Sequence, residues 1–483
     1  MVFSSEQFLF LFLPLFLLAY YLTPVSKRSW TIVAGSYVFY AWWRVDFLLL
    51  LIATTAWTYF FGLKIQQFEG RKAAKTFCAI GVAGCLAVLG VFKYLNFFID
   101  SFAALVGTTP EALGVHWHLI LPIGISFYVF QSISYLVDIY RKDAPATRSF
   151  IDFAAFIALF PQLIAGPILR FKDLADQIVQ REHSLDKFTG GMSRFTIGLA
   201  KKVLLADAVA PIADASFALS DPTFAEAFLG MLAYSLQLYF DFSGYSDMAI
   251  GLGMMMGFRF IENFNRPYIS KSITEFWRRW HISLSVWLRD YLYIPLGGNR
   301  KGVRRTYVNL IAVMMLGGLW HGASWTFVLW GAWHGVWLAI ERATGWSAVS
   351  YKYWFALPFT FLLVMIGWVM FRSETVGIAF TMYGGLMGLN GVLLRPDFLV
   401  SLTQDSFLFL LLSLAIVALE GRFALMFRSD DLRAEAAGNG GAVLASQSGL
   451  HVFASSILLC VLMVMTVAKL AEQSFSPFLY FQF

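Results

Sequence analysis

Long apolar runs alternating with short polar stretches organise this sequence. Runs at residues 8–22, 30–43, 47–63, 76–92, 119–137, 153–169, 192–210, 227–240, 245–258, 307–319, 325–340, 354–371, 407–419 and 452–470 predict helices. A helix that crosses a bilayer needs about 20 mostly apolar residues, and several of these runs are short enough to be re-entrant or interfacial. The pattern therefore predicts an all-α polytopic membrane protein with roughly 11 to 14 membrane elements. The first run is read as a retained helix: no basic residue precedes it, and Lys27 and Arg28 follow it, which puts the N-terminus outside and Lys27 inside. Residues 432–449, with Gly438, Asn439, Gly440 and Gly441, read as a flexible loop. No internal repeat is evident by eye, and residues 1–483 are read as a single membrane domain.

Composition turns the apolar pattern into an argument about solvent. The chain is 59% hydrophobic and 14% charged, with a mean hydropathy of +0.66. A soluble domain carries about 25% charged residues, so the apolar excess here has to face lipid. Aromatic residues make up 18% of the chain, and Trp and Tyr favour the membrane interface, where an apolar ring keeps a polar edge wet. A net charge of +6 in such a chain reads as basic loops held on the cytoplasmic side. Nucleic acid is not an expected partner, because basic and aromatic residues are nowhere interleaved as a groove would need. The three cysteines show neither a pairing pattern nor an activating one.

The most basic polar stretch, residues 259–305, holds ten Lys and Arg against three acids and is expected to face the cytoplasm. Within it Trp277, Trp280, His281, Leu284, Leu288 and Tyr291 recur at helical spacing. They predict one amphipathic helix that lies among headgroups or folds back into the bundle. Its arginines Arg278, Arg279 and Arg289 suit either lipid phosphates or an anionic cofactor. His281 alone reads either as a packing residue or as a site residue.

Ionisable groups inside apolar runs are costly and point to function. Asp241 and Asp247 are the only charged residues between Ala227 and Phe258. They read either as groups capping a helix break at Ser243-Gly244 or bonding a neighbouring helix, or as substrate or cation contacts. Six residues apart, they do not share a helix face, which disfavours a paired-carboxylate site. From Thr306 to Ile340 no Lys, Arg, Asp or Glu occurs across 35 residues. One straight helix of that length would span about 52 Å against a hydrocarbon core of about 30 Å. It has to tilt or break, and Gly317, Gly318 and Gly322 are the expected break. His321 then lies near mid-membrane at an irregular point, where a neutral imidazole with its lone pair can serve as general base. His334, 13 residues further on, would point to a different face about 20 Å away, and no metal-ligand spacing occurs, so no metal is expected.

Residues 239–247, 275–285, 287–299 and 319–325, together with 36–43 and the terminal Tyr480-Phe481-Gln482-Phe483, resemble the membrane-bound O-acyltransferase family. Within it they are similar to the bacterial branch that acetylates exported polysaccharides. The resemblance implies a helical bundle around a transmembrane tunnel in a bacterial inner membrane. It implies catalytic histidines at His321 and His281; Trp280 and Trp320 join Arg278, Arg279, Arg289, Asp241 and Asp247 as candidate substrate- or cofactor-binding residues. It implies acetyl-CoA as donor, with no bound cofactor, and alginate as first acceptor, with cellulose, peptidoglycan and teichoic acid as alternatives. It further implies membrane lipid and a periplasmic acetyltransferase as partners. A non-enzymatic transporter of lipid-linked sugar is the rival from another class.

Overall fold

The computed structural model describes residues 1–427, 449–472 and 478–479, whose regular structure is helical throughout. They form two compact units, residues 1–182 with 258–261, and residues 183–257 with the described part of 262–483. The expected loop at 432–449 lies, apart from Gly449, outside the described residues.

The first unit contains α1 (Gln7–Leu22), α2 (Arg28–Ala41), α3 (Val45–Gln67), α4 (Lys72–Leu105), α5 (Ile125–Arg141), α6 (Phe150–Ala158) and α7 (Phe171–Val179). Among the described residues α3 and α4 are long and apolar enough to cross a membrane, whereas α1 is apolar but shorter. Only 39% of the apolar window of α3 and 22% of that of α4 is buried. Their outer faces display Leu49, Trp57, Phe60, Ile80, Leu86 and Val91, an apolar surface that lipid covers without cost. The run expected at 119–137 becomes helical only from Ile125, and that at 153–169 ends its first helix at Ala158, one residue before the extended Leu159. The count of 11 to 14 membrane elements is thus larger than the number of helices that are long and apolar enough to span, which among the described residues is two.

The second unit is built on α8 (Leu185–Ala200), α9 (Asp207–Phe217) and α10 (Phe224–Met255), the last a 32-residue helix buried on nearly all faces. Thr223 starts α10 with a reciprocal cap: its hydroxyl accepts the Glu226 N–H, and the Glu226 carboxylate accepts the Thr223 N–H. The two runs expected at 227–240 and 245–258 are one continuous helix, so Ser243-Gly244 is not a break. Gly244 serves packing instead. A Cβ on Gly198 of α8 would lie 2.5 Å from the Gly244 carbonyl oxygen, and one on Gly191 2.6 Å from that of Gly251. Two glycines spaced seven residues apart on each helix let the backbones touch, the small-residue packing that serves where no hydrophobic force drives helices together.

Then come α11 (Ile273–Arg279), α12 (Ile282–Leu288), α13 (Val303–His321) and α14 (Trp325–Thr344). The single amphipathic helix expected across Trp277–Tyr291 is in fact broken at His281, and Trp280, His281, Leu284, Trp287 and Leu288 are buried, as the alternative of folding back into the bundle requires. The charge-free stretch does fold back on itself, but the turn is Gly322-Ala323-Ser324, with the Ser324 hydroxyl accepting the Thr326 N–H to start α14. Gly317 and Gly318 stay inside α13. A Cβ on Gly318 would collide with the Phe327 carbonyl oxygen and one on Gly331 with that of Met314, so these glycines close the hairpin rather than bend it. Helices α15 (Ala356–Arg372), α16 (Val376–Leu386), α17 (Gln404–Phe427) and α18 (Gly449–Glu472) complete the unit.

Candidate active site

Two interruptions of helix meet inside the second unit. His281 sits between α11 and α12 with φ 44° and ψ 53°, a left-handed backbone that a non-glycine residue rarely adopts. His321 is the last residue of α13, directly before the hairpin turn. Their rings lie 5.8 Å apart between centroids, and both side chains are buried. Neither ring nitrogen of His281 has a hydrogen-bond partner among the described residues. A buried imidazole with both nitrogens uncommitted is available to an incoming polar group.

Aromatic rings wall this pair. Trp320 touches both histidines, with centroids 5.8 Å from His281 and 5.0 Å from His321. Trp330 and Phe371 stand nearly edge-on to His321 at 5.3 and 5.2 Å, and Phe242 meets His281 at 4.8 Å. Such contacts fix ring orientation without supplying charge. Behind them Trp280 packs among Tyr239, Phe264, Tyr268, Phe276 and Trp368.

The hairpin also holds the segment that carries His281. Glu341 of α14 accepts the backbone N–H groups of Ile273 and Thr274 at 2.6 and 2.8 Å, satisfying the start of α11. His334, about two turns earlier on the same helix, accepts the Trp277 Nε1–H through Nδ1 at 3.3 Å. One hairpin therefore carries His321 and sets the position of the helix that leads into His281.

The other sequence-derived candidates lie elsewhere. Asp241 pairs with Lys202 at 2.8 Å and accepts the Leu479 N–H at 3.0 Å, while Lys202 also reaches Asp207 at 2.7 Å. Asp247 pairs with Arg194 and Lys201, both at 2.9 Å, and Arg194 bridges on to Glu262. The two aspartates thus face different directions on α10, each toward cations from the Lys201-Lys202 turn or from α8. Arg279 pairs with Glu275 at 2.9 Å and Arg289 with Asp290 at 2.7 Å, and Arg278 is exposed, so none of the three arginines stands in the histidine wall. Trp330, Phe371 and Glu341 were not singled out from the sequence. Their partners are remote in the chain, and no local spacing marks them.

His281 yields a direct expectation about stability. A left-handed residue with a Cβ costs about 1–2 kcal/mol relative to the right-handed region. The variant His281→Gly loses the same ring as His281→Ala but escapes this cost. It is expected to be more stable by about 1 kcal/mol in chemical unfolding of the detergent-solubilised protein, even though glycine gains more entropy on unfolding. Equal stability of the two variants would mean that the turn is not left-handed in solution.

Residues 114–378, more than half the chain and including both histidines, match the family model described as the membrane-bound O-acyltransferase family (MBOAT). The chain belongs to this family. Across its whole length the MBOAT chain is 53% identical to the probable alginate O-acetylase AlgI of Azotobacter vinelandii and 51% identical to that of Pseudomonas aeruginosa, each match covering 100% of both chains. It is 38% identical to the peptidoglycan O-acetyltransferase of Helicobacter pylori over 81% of each chain. This MBOAT protein is an O-acyltransferase and an integral membrane protein, which agrees with the lipid-suited faces of α3 and α4.

Proposed function

We propose that this MBOAT protein is a multi-pass inner-membrane O-acetyltransferase that takes acetyl from cytoplasmic acetyl-CoA and passes it across the bilayer for O-acetylation of exported alginate. The observation that carries the reading is the meeting of His281 and His321, buried at two helix interruptions inside a wall of aromatic rings. Water is scarce in such a site, so an acyl group in transfer is protected from hydrolysis. A ring nitrogen of His321 takes the proton of the accepting hydroxyl as its oxygen bonds to the acetyl carbonyl carbon. The carbon–sulfur bond of the thioester then breaks, and the proton passes to the leaving thiolate. In this reading His281, whose ring nitrogens have no partner among the described residues, donates to the developing oxyanion.

Alginate is favoured as acceptor because identity to the alginate O-acetylases exceeds that to the peptidoglycan enzyme and extends over both full lengths. In this reading the basic 259–305 segment faces the cytoplasm and draws the anionic donor through Arg278, Arg279 and Arg289. The histidine pair lines a tunnel between the two membrane faces. A periplasmic acetyltransferase receives the acetyl group for delivery to the polymer.

The test is the acetyl content of each polymer in a deletion strain. Alginate is expected to lose its O-acetyl groups while peptidoglycan keeps whatever it carries. Unchanged alginate acetylation with depleted peptidoglycan would transfer the assignment to the second acceptor.

A further inference from the structure

The left-handed turn at His281 is held from outside its own helices. Asn263 and Asn265 lie on the extended segment before it and grip the turn on both sides. Ahead of His281, the Asn265 N–H donates to the Arg279 carbonyl at 2.9 Å. After it, the Asn263 carbonyl accepts the Ile282 N–H at 3.0 Å. The Asn263 side-chain oxygen Oδ1 then accepts both the Ser283 N–H at 3.2 Å and the Ser283 hydroxyl at 2.9 Å. Asn263 is fully buried. These bonds occupy the N–H groups of Ile282 and Ser283, which in a continuous helix would have bonded four residues back. The clamp is therefore what breaks α11 from α12 and turns the His281 ring toward His321, at a cost in backbone strain that sites of function characteristically carry.

We propose that Asn263 is a positioning residue for acyl transfer, fixing the His281 imidazole against His321 through the Ser283 turn. The proposal rests on the reading of His281 and His321 as the reacting pair. Asn263 itself touches neither acyl group nor acceptor in this scheme; it acts through His281 alone.

That restriction makes the test sharp. Acetyl transfer from labelled acetyl-CoA is measured with the full-length protein in proteoliposomes, beside the thermal midpoint of each variant. Asn263→Ala is expected to lower kcat by about 100-fold, the scale of a 1 Å misplacement, with KM for the donor unchanged. Asn263→Asp keeps an Oδ acceptor for Ser283 and is expected to recover most of that loss. In the double variant with His281→Ala, Asn263→Ala is expected to add nothing, because both act through one ring. Ser283→Ala, a milder change that removes one of the side-chain bonds, is expected to show a smaller loss of kcat alone and stands in if Asn263→Ala does not fold.

An additive loss in the double variant overturns the proposal, as does full turnover in both Asn263→Ala and Ser283→Ala while His281→Ala is impaired. Full turnover in His281→Ala is a different failure, since it removes the histidine pair and the positioning role with it.

Discussion

Replacing His321 by Ala is expected to abolish O-acetylation of the exported polymer while leaving the abundance of the protein and secretion of the polymer intact. The general base of such a transfer contributes about 10²–10⁴-fold, and its loss is not rescued by His281. The His281 ring lies 5.8 Å away, centroid to centroid, and its place is set by a separate turn. The Trp320, Trp330 and Phe371 rings surround the vacated space and relax only partly into it. A stability cost of about 1–3 kcal/mol accompanies the change. His321→Gln, which fills more of the space and keeps polar atoms but supplies no base, separates the two effects. It is expected to be nearly as inactive and more stable. Normal acetyl content in a strain carrying either variant removes His321 from the chemistry.

The second large effect is one of architecture. Lys202→Met is expected to destabilise the protein by about 3–5 kcal/mol, because it leaves buried carboxylates without their cation. The Lys202 and Asp241 side chains are only 3% and 2% exposed, so water cannot take over. Removing both charges, as Lys202→Met with Asp241→Leu, is expected to recover part of the loss, and Asp207 explains why recovery is incomplete. Thermal midpoints of the single and double variants in one detergent measure the difference. A Lys202→Met variant as stable as the parent would show that the pair is not buried. Asp241→Asn adds a functional arm: as an ion-pair partner Asp241 contributes to stability, so KM for the donor is expected to stay unchanged. A raised KM at full stability would return Asp241 to the substrate.

These expectations trace where local pattern ends. That the stretch around His321 has to tilt or break was legible in 35 residues without Lys, Arg, Asp or Glu, since no single upright helix of that length suits a bilayer. The position of the turn was legible only in part: Gly322 opens it, whereas Gly317 and Gly318 do not. Glycine is permissive, and a sequence does not say whether a glycine is spent on a bend or on a close approach. Gly317 and Gly318 looked like the bend, and the backbone of α14 beside Gly318 shows the other use. Asp241 and Asp247 were correctly read as unable to share a helix face, but their cations come from residues some forty to fifty positions away in the chain. Helical spacing predicted Trp277 through Tyr291 as one helix, and the Asn263 clamp overrode it. Four hydrogen bonds from another segment outweigh the propensity of one position.

By itself the sequence determined what kind of solvent this protein needs, that it is helical, and which two histidines to watch. The first two, and His321 in its charge-free stretch, depend on composition and on spacing within one element, which a linear chain displays directly; His281 was singled out by the resemblance to the family. The tertiary structure decided that the two histidines face each other, that the aspartates are neutralised, and that a left-handed turn aims one of the rings. Each of these depends on groups far apart in the chain brought within a few ångströms, where a single hydrogen bond or a missing Cβ selects among conformations that local preference leaves nearly equal in energy.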